Sequence, residues 1–221
     1  MRAIIFANGV FTPSPWVRRW LADGGVLIAA DGGLRLCRAL SLTPHFLVGD
    51  FDSLSEEEIL EMENRGVKIV RYPAQKDETD LELALLLALD QSVEEIVILG
   101  GLGARWDQTF ANVLLPAAWR FRKVSMVLVD GEYELYVLNA PPPKKLRVQG
   151  EIGETLSLIP LGGDAKGVTL QGLEYPLRRE DLLFGMTRGL SNVFAENVAE
   201  IEIQEGSLLV VVSHSTSNTE A

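Results

Sequence analysis

Two aspartates in the segment Gly49-Asp50-Phe51-Asp52-Ser53 have the chemistry and the spacing to hold a metal ion. The segment follows the apolar run Phe46-Leu47-Val48, which predicts the end of a buried strand. In extended backbone, side chains two residues apart point the same way, so Asp50 and Asp52 are expected on one side. Two like charges repel unless a cation lies between them, and carboxylate oxygens suit a hard ion such as magnesium. Alone, the segment fits a solvated turn that caps the next helix equally well.

Three further polar motifs each follow a predicted strand in the first half of the chain. They are Asp31-Gly32-Gly33, Lys76-Asp77-Glu78-Thr79-Asp80 and Gly100-Gly101-Leu102-Gly103-Ala104-Arg105-Trp106-Asp107-Gln108. The carboxyl ends of the strands in an open parallel sheet lie along one edge. Motifs far apart in the sequence are therefore expected to meet in one crevice, and four such motifs are hard to attribute to chance.

Acidic residues of these motifs extend the predicted metal site. Asp31 adds a third carboxylate to the same edge of the sheet. Asp80 lies at a predicted helix N-terminus, where an acidic side chain is favourable for structural reasons alone. However, Asp77, Glu78 and Asp80 together exceed what a helix cap requires, so the sequence favours a functional reading of the group.

Glycines and basic residues of the motifs suit a phosphate group. Gly32 and Gly33 would let backbone amides approach an anion at a helix start, although a simple turn explains them as well. Lys76 offers a cation, and Arg105 can bind a phosphate in bidentate fashion. The glycine-rich loop before Arg105 is neither a Walker loop nor a dinucleotide fingerprint. The set predicts transfer of a phosphoryl-type group by direct attack of a substrate hydroxyl, with positioning and charge neutralisation doing most of the work.

The periodicity of the sequence changes near residue 130. Strand-like and helix-like segments alternate in residues 1–130, including a predicted helix from Asp107 to Arg120, and predict an α/β domain with a mainly parallel sheet covered by helices. Residues 131–221 contain short apolar runs, such as Thr155–Ile159 and Gly167–Leu170, broken by proline and glycine. That spacing predicts an all-β, sandwich-like domain.

Composition excludes several classes of protein. The chain of 221 residues carries a net charge of -11 and has no basic patch, which argues against a nucleic-acid partner. No apolar run is long enough to span a membrane, and the N-terminus does not resemble a signal peptide, so a cytoplasmic location is the default expectation. The single cysteine excludes an intrachain disulfide and a cysteine-rich zinc site.

In order, the four motifs resemble those of the thiamine pyrophosphokinase family, and Gly189-Leu190-Ser191-Asn192 resembles the Gly-x-Ser-Asn motif in that family's C-terminal half. The resemblance implies that residues 1–130 bind ATP and magnesium and that residues 131–221 complete a thiamine pocket. It implies transfer of the pyrophosphoryl group of ATP to the thiamine hydroxyl, giving thiamine diphosphate and AMP. It also implies a homodimer with the thiamine site at the subunit interface.

The resemblance also assigns roles to individual residues. Asp50, Asp52 and Asp80 would bind magnesium, and Asp31 would join them in the catalytic set. The ATP and phosphate groups would be bound by Gly32, Gly33, Lys76, Asp77, Thr79, Gly101, Arg105 and Asp107. Ser191 and Asn192 would contribute to the thiamine pocket. The resemblance does not identify an aromatic partner for the cationic thiamine ring, and Tyr175, Phe184 and Phe194 are alternative candidates because such a ring favours an aromatic face. The chain departs from the family pattern at Val193, where glutamate is expected, and at Gln108, where histidine is common.

Two other functions fit parts of the pattern. A glycosyltransferase could use Asp50 and Asp52 to hold a metal and a nucleotide sugar, but this does not explain Arg105 or the motif from Lys76 to Asp80. The second alternative is not an enzyme: a nucleotide sensor without catalytic activity, whose β domain binds a partner. The number of carboxylates counts against it, because binding alone does not need so many.

Overall fold

The structure is a computed structural model that describes residues 1–103 and 105–215. Its first half has the predicted alternation of strands and helices. The strands of this half are β1 Arg2–Phe6, β2 Val26–Ala30, β3 Phe46–Gly49, β4 Lys68–Arg71, β5 Glu95–Leu99 and β6 Ser125–Asp130. The helices are α1 Pro15–Ala22, α2 Leu34–Ala39, α3 Glu56–Asn64, α4 Asp80–Asp90 and α5 Trp106–Leu114. Short 3-10 turns cover Asp31–Gly33 and Leu115–Ala117.

The six strands of this half lie in the order β4-β3-β2-β1-β5-β6, and each neighbouring pair is parallel. The chain winds outward from β1 in one direction and then returns to its other side at β5. Such a reversal of strand order opens a crevice at the carboxyl ends of the two strands, where ligands of α/β proteins bind. Phe6, the last residue of β1, pairs with Leu99 at the end of β5, so both strands end at the same level.

Capping side chains fix where the helices begin. A capping box begins α3: Ser55 Oγ accepts from the Glu58 amide, and the Glu58 carboxylate accepts from the Ser55 amide. At α4, Thr79 Oγ1 accepts from the Glu82 amide at 3.2 Å. Helix α4 packs against β2 and β3, and its cap therefore holds Asp80, its first residue, at the carboxyl edge of the sheet.

Helix α5 is shorter than predicted. The sequence predicts a helix to Arg120, but α5 ends at Leu114 and a 3-10 turn follows. Pro116 accounts for the difference, because proline lacks the amide hydrogen of the helical ladder and its ring clashes with the preceding turn. None of the residues described in α5 is buried, so packing does not extend it.

The second half is built from antiparallel strands, as the predicted C-terminal β region requires. They are β7 Tyr133–Ala140, β8 Lys144–Gln149, β9 Thr155–Gln171, β10 Leu177–Leu182, β11 Asn192–Val193, β12 Val198–Ile203 and β13 Glu205–Ser213. The first part of β9 pairs with β13 and β11, and its last part pairs with β12 and β10. One long strand thus joins two sheets, whose inward side chains, including Phe194 and Val210, form a buried core.

Strand β9 corrects two sequence predictions. The runs Thr155–Ile159 and Gly167–Leu170 are parts of one strand, not two. Gly162 and Gly167 have φ values of 69° and 62° within it, so these glycines bend the strand where the sequence pattern predicts its end. Strand β10 was not predicted, because apolar residues occur only at its ends.

Contacts divide the chain into two units. The first comprises Met1–Leu115 and Lys123–Gly131, and the second comprises Pro116–Arg122 and Glu132–Ala221. The sequence predicts a single boundary at residue 130, but the segment Pro116–Arg122, which precedes that boundary, belongs to the second unit. In the described part of the chain, no helix is long and apolar enough to cross a membrane.

A buried histidine lies between two buried glutamates in the second unit. His214 Nδ1 is 3.0 Å from Glu154 and Nε2 is 3.5 Å from Glu134. Glu134 also accepts a hydrogen bond from the Tyr136 hydroxyl, and Glu154 accepts one from the Ser215 amide. Burial lowers the pKa of His214, but the two carboxylates outweigh that effect and raise the pKa above its usual value.

We expect the raised pKa of His214 to make the protein less stable at alkaline pH. The folded state holds this proton more tightly than the unfolded state, so the stabilisation is complete below about pH 6.5 and is lost as pH rises through the folded-state pKa. Urea unfolding should show a lower free energy of unfolding at about pH 9 than at about pH 6 in wild type, and no such fall in His214→Gln. His45→Gln is the control and should keep the fall, because the His45 side chain is exposed and accepts a hydrogen bond from the Leu27 amide. An equal fall in His214→Gln would contradict this assignment.

Candidate active site

Three carboxylates meet at the carboxyl edge of the parallel sheet. One ligand atom from each of Asp31, Asp50 and Asp52 lies within 4.8 Å of the others. Asp31 is 4% exposed, and its Oδ1 has no hydrogen-bond partner among the residues that the structure describes. A buried carboxylate oxygen without a partner is costly, and a cation would satisfy it. The all-oxygen donor set therefore fits a hard divalent ion.

The backbone brings Asp50 and Asp52 together in a different way from the one predicted. The segment is not extended, because Phe51 has a φ of 65°. The Phe51 ring is buried and lies 4.9 Å from the Arg71 guanidinium, while the Asp52 amide donates to Asp50 Oδ1 at 3.3 Å. The two carboxylates are therefore neighbours through a tight turn, with the buried phenylalanine as its anchor.

Lys76 joins Asp80 to this cluster. Its Nζ lies 2.9 Å from Asp50 Oδ2 and 3.0 Å from Asp80 Oδ1, and its side chain is 10% exposed. Gly49 lies between the carboxylates: a Cβ on it would be 3.3 Å from Asp80 Oδ1 and 3.1 Å from Asp31 Cβ. A side chain at position 49 would crowd the site, which explains a glycine with a φ of 149° at this position.

The two carboxylates that share Lys76 differ in pKa. The hydrogen bond from Lys76 lowers the pKa of Asp50. Burial raises the pKa of Asp80 by more than Lys76 lowers it, and the charges of Asp50 and Asp31 add to the rise. Burial of Lys76 itself is outweighed by its two acidic partners, so its pKa lies above the usual value. Lys76 and Asp50 thus form an ion pair, and Asp80 is the more easily protonated of the two acids.

A cleft of about 480 Å³ is lined by Asp31, Asp52, Lys76 and Asp80, whereas Asp50 is not among its lining residues. It sits at the reversal point of the sheet, where the Gly9 amide after β1 donates to the Gly100 carbonyl after β5. Its lining includes residues from all four predicted motifs, namely Asp31, Asp52, Ser53, Lys76, Glu78, Thr79, Asp80, Gly100, Gly101, Gly103, Arg105 and Gln108. The predicted convergence of the motifs is therefore present in the structure.

Four of the predicted phosphate-binding residues do not line this cleft. Gly32 and Gly33 are buried, and a Cβ on Gly33 would overlap the Phe6 carbonyl oxygen. Asp77 is exposed outside the lining, and Asp107 is exposed and bound to Arg105. The glycines therefore have a packing reason that the sequence did not reveal. Ala104, within the same motif as Arg105, lies outside the described residues.

Three polar residues of the cleft were not singled out from the sequence: Asn8, Thr109 and Asn112. Asn112 Nδ2 donates to the Gly101 carbonyl at 2.7 Å, and Thr109 Oγ1 bonds both the amide and the carbonyl of Gly103. These bonds hold the glycine-rich loop against α5. Asn8 follows β1 as the other motifs follow their strands, so the same rule could have identified it.

The Ser191-Asn192 motif borders a second cavity, of about 470 Å³, in the β unit. The Asn192 side chain is 6% exposed and bonds the Tyr175 backbone twice, accepting from its amide at 3.0 Å and donating to its carbonyl at 2.8 Å. Asn192 therefore holds the turn that carries Tyr175, which lines the cavity. Ser191 is exposed and is not among the lining residues, and its amide donates to Ser157 Oγ.

The candidate aromatic partners differ in accessibility. Phe194 is fully buried, and its ring fills the space beside Gly150, so it is a core residue and cannot stack on a ligand. Tyr175 and Phe184 are 67% and 58% exposed. Of the three candidate aromatic partners, Phe194 is therefore excluded, whereas Tyr175 and Phe184 are accessible.

The parallel sheet and the acidic cleft at its reversal point are typical of an α/β enzyme that transfers a phosphoryl-type group. Family profiles for the thiamin pyrophosphokinase catalytic domain and its vitamin B1 binding domain match residues 17–128 and 144–208. The chain belongs to the thiamine pyrophosphokinase family.

Individual relatives agree with this membership over nearly the whole chain. The thiamine pyrophosphokinase of Bacillus subtilis is 29% identical over 209 residues, covering 95% of this chain and 97% of the relative. The crystal structure of thiamine pyrophosphokinase from Bacillus subtilis has a TM-score of 0.83 at 26% identity, over 97% of this chain and 100% of that one. A thiamin pyrophosphokinase family protein from Enterococcus faecalis has a TM-score of 0.81 at 28% identity, over 98% and 100%.

Proposed function

We propose that this enzyme transfers the pyrophosphoryl group of ATP to the hydroxyl of thiamine, giving thiamine diphosphate and AMP. In this reaction the thiamine oxygen attacks the β-phosphorus, the bond from that phosphorus to the bridging oxygen of AMP breaks, and the hydroxyl proton is released. The observation that carries the proposal is that Asp31, Asp50 and Asp52 lie within 4.8 Å of one another, with Asp31 and Asp52 lining the cleft at the reversal point of the sheet. Family membership supplies the identity of the substrates.

Magnesium is the proposed cofactor. Asp50, Asp52 and Asp80 would hold it, with Asp31 offering its buried oxygen. When bound, the ion would neutralise charge on the transferring phosphates. Lys76, Thr79 and Gly101, which line the cleft, would position the nucleotide, with Arg105 close to its phosphates.

The β unit is proposed to bind thiamine, and its two sheets are proposed to form a sandwich-like domain. Asn192 would act through the backbone of Tyr175, which it holds beside the second cavity. Thiamine carries a cationic ring, and such a ring favours an aromatic face. Ser191, the exposed member of the motif, would contact the substrate directly. A cytoplasmic location stays a prediction from the sequence.

One assay distinguishes this reaction from the two alternatives. Purified protein is incubated with ATP, thiamine and magnesium, and ATP consumption is followed in this mixture, with thiamine omitted and with EDTA added. A parallel incubation replaces ATP with a set of nucleotide sugars and follows their consumption. We expect consumption only when ATP, thiamine and the metal are all present. Nucleotide-sugar turnover would favour a glycosyltransferase, and binding of ATP without any turnover would favour a sensor.

We also propose a homodimer, and the exposed face of α5 is the surface that supports it. Trp106, Phe110 and Leu114 lie one helical turn apart and are 78%, 64% and 49% exposed. A stripe of large apolar side chains at a helix surface marks an interaction site more often than an exposed single residue does. The proposed occupant is the same face, or another apolar face, of a second copy of the chain.

Replacing Phe110 with glutamate is expected to halve the sedimenting mass, because a charge at a buried dimer contact is left without a partner. Sedimentation velocity at assay concentration measures the result. Leu60→Glu is the matched control, since Leu60 is a 56% exposed apolar residue on α3, and it should leave the dimer intact. A wild-type protein that is a fully active monomer would contradict both the homodimer and the expected thiamine site at the subunit interface.

A further inference from the structure

Lys76 lies where its positive charge would compete with a bound cation. Its ammonium is 2.9 Å from Asp50 and 3.0 Å from Asp80, two of the three residues proposed as magnesium ligands. The lysine side chain is 10% exposed and the Asp50 side chain 15%, so little water screens the contact. In the structure, the lysine thus supplies the positive charge that these two acids need.

A divalent ion bound to Asp50 would be repelled by the Lys76 ammonium on the same carboxylate. An ion coordinated by Asp50 would lie about 2 Å from one of its oxygens, which places it within about 5 Å of an ammonium bonded to the same oxygen and within about 7 Å of one bonded to the other oxygen. Two cations at that separation in a poorly screened site repel strongly. One of them must move, and lysine has a flexible four-carbon stem that allows it to do so.

The new position of Lys76 is available within the same cleft. Lys76, Thr79 and Arg105 line the same cleft, in which the phosphate chain of a nucleotide is proposed to bind. An ammonium that leaves a carboxylate for a phosphate oxygen exchanges one charge-assisted bond for another. The protein therefore does not leave a buried charge without a partner at either stage.

We propose that Lys76 is an exchangeable counter-cation, which neutralises Asp50 and Asp80 in the free protein and moves to the nucleotide phosphates when a divalent ion enters. The inference rests on the proposed metal and nucleotide site. It makes the two ligands interdependent: the ion binds weakly to the free protein and more tightly with nucleotide present. Lys76 is a positioning residue for the metal site before it contacts the substrate.

Titration of Mn²⁺ into nucleotide-free protein tests this inference without any turnover. Lys76→Met removes the competing charge, so we expect it to bind Mn²⁺ about tenfold more tightly than wild type. With an unreactive ATP analogue present the advantage should disappear, because the wild-type lysine then contributes to phosphate binding. Lys166→Met is the matched control: it removes another lysine paired with a glutamate, outside the cleft, and should leave Mn²⁺ affinity unchanged.

Equal or weaker Mn²⁺ binding by Lys76→Met in the absence of nucleotide would overturn the inference. Circular dichroism checks that Lys76→Met is folded. If it is not, Lys76→Gln, which keeps a polar side chain without the charge, replaces it and is also expected to bind Mn²⁺ more tightly than wild type. The outcome is separable from the proposed function. Wild type that forms thiamine diphosphate while Lys76→Met gains no Mn²⁺ affinity refutes only the exchange, whereas the reverse result refutes only the reaction.

Discussion

Replacing Asp50 with asparagine is expected to lower kcat/KM for thiamine diphosphate formation by about 1,000-fold, or about 4 kcal/mol of transition-state stabilisation. Asparagine keeps the size of the side chain but removes the charge that Asp50 contributes to the three-carboxylate cluster. It also removes the carboxylate that pairs with Lys76 Nζ at 2.9 Å. Steady-state rates measured over a range of magnesium concentrations provide the test.

Asp90→Asn is the control for this loss. Asp90 is the last residue of α4, whereas Asp80 at the first residue of the same helix belongs to the site. The control should retain wild-type activity, and Asp80→Asn should be impaired like Asp50→Asn. Wild-type rates in both Asp50→Asn and Asp80→Asn, with circular dichroism showing folded proteins, would refute the metal assignment.

Replacing Gly33 with alanine is expected to reduce the free energy of unfolding by about 3 kcal/mol, the upper range for overpacking a core. The backbone at Gly33, with φ of -58° and ψ of -15°, is one that alanine adopts easily. The added Cβ, however, would overlap the carbonyl oxygen of Phe6 in the central strand β1. Because backbone atoms of a central strand cannot move aside cheaply, the cost is steric and appears in urea unfolding.

This variant also separates two readings of the glycine. A phosphate-binding role predicts unchanged stability and weaker ATP binding, whereas the packing role predicts lost stability before any ligand is added. Gly163→Ala is the control, since a Cβ there meets no atom within 4 Å, and it should unfold like wild type. Full stability of Gly33→Ala would show that the close approach to Phe6 relaxes.

The placement of the site could be predicted from the sequence because it follows from topology. The motifs that begin at Asp31 and Gly100 come directly after a strand, the motif that begins at Gly49 starts with the last residue of β3, and parallel strands end at one edge. Their convergence needed no knowledge of strand order. The strand order itself depends on which apolar faces pack together, and so the reversal between β1 and β5 emerged only from the structure.

Details that depend on single backbone angles could not be predicted. Phe51 adopts a φ of 65°, which is uncommon for a bulky residue, because its ring is buried under the turn. The prediction that Asp50 and Asp52 lie close together is therefore correct, but they are brought together by a turn and not by extended backbone. Gly162 in β9 is the opposite case, where a glycine that usually ends a strand only bends it.

Contacts between side chains and distant backbone were equally hidden. Asn192 matches a motif for substrate binding, but its amide is occupied by the backbone of Tyr175. Phe194 matches the residue type for ring stacking, but the core encloses it completely. Residue type restricts what a side chain can do, and only its surroundings determine which of those roles it performs.

The identity of the products is the most direct test of the proposed reaction. Wild-type protein is incubated with ATP, magnesium and thiamine, and all nucleotides and thiamine esters are quantified by anion-exchange chromatography. Transfer of the pyrophosphoryl group predicts AMP and thiamine diphosphate in equal amounts, with neither product formed when magnesium is chelated. Formation of ADP with thiamine monophosphate, or no thiamine ester at any magnesium concentration, would contradict the account.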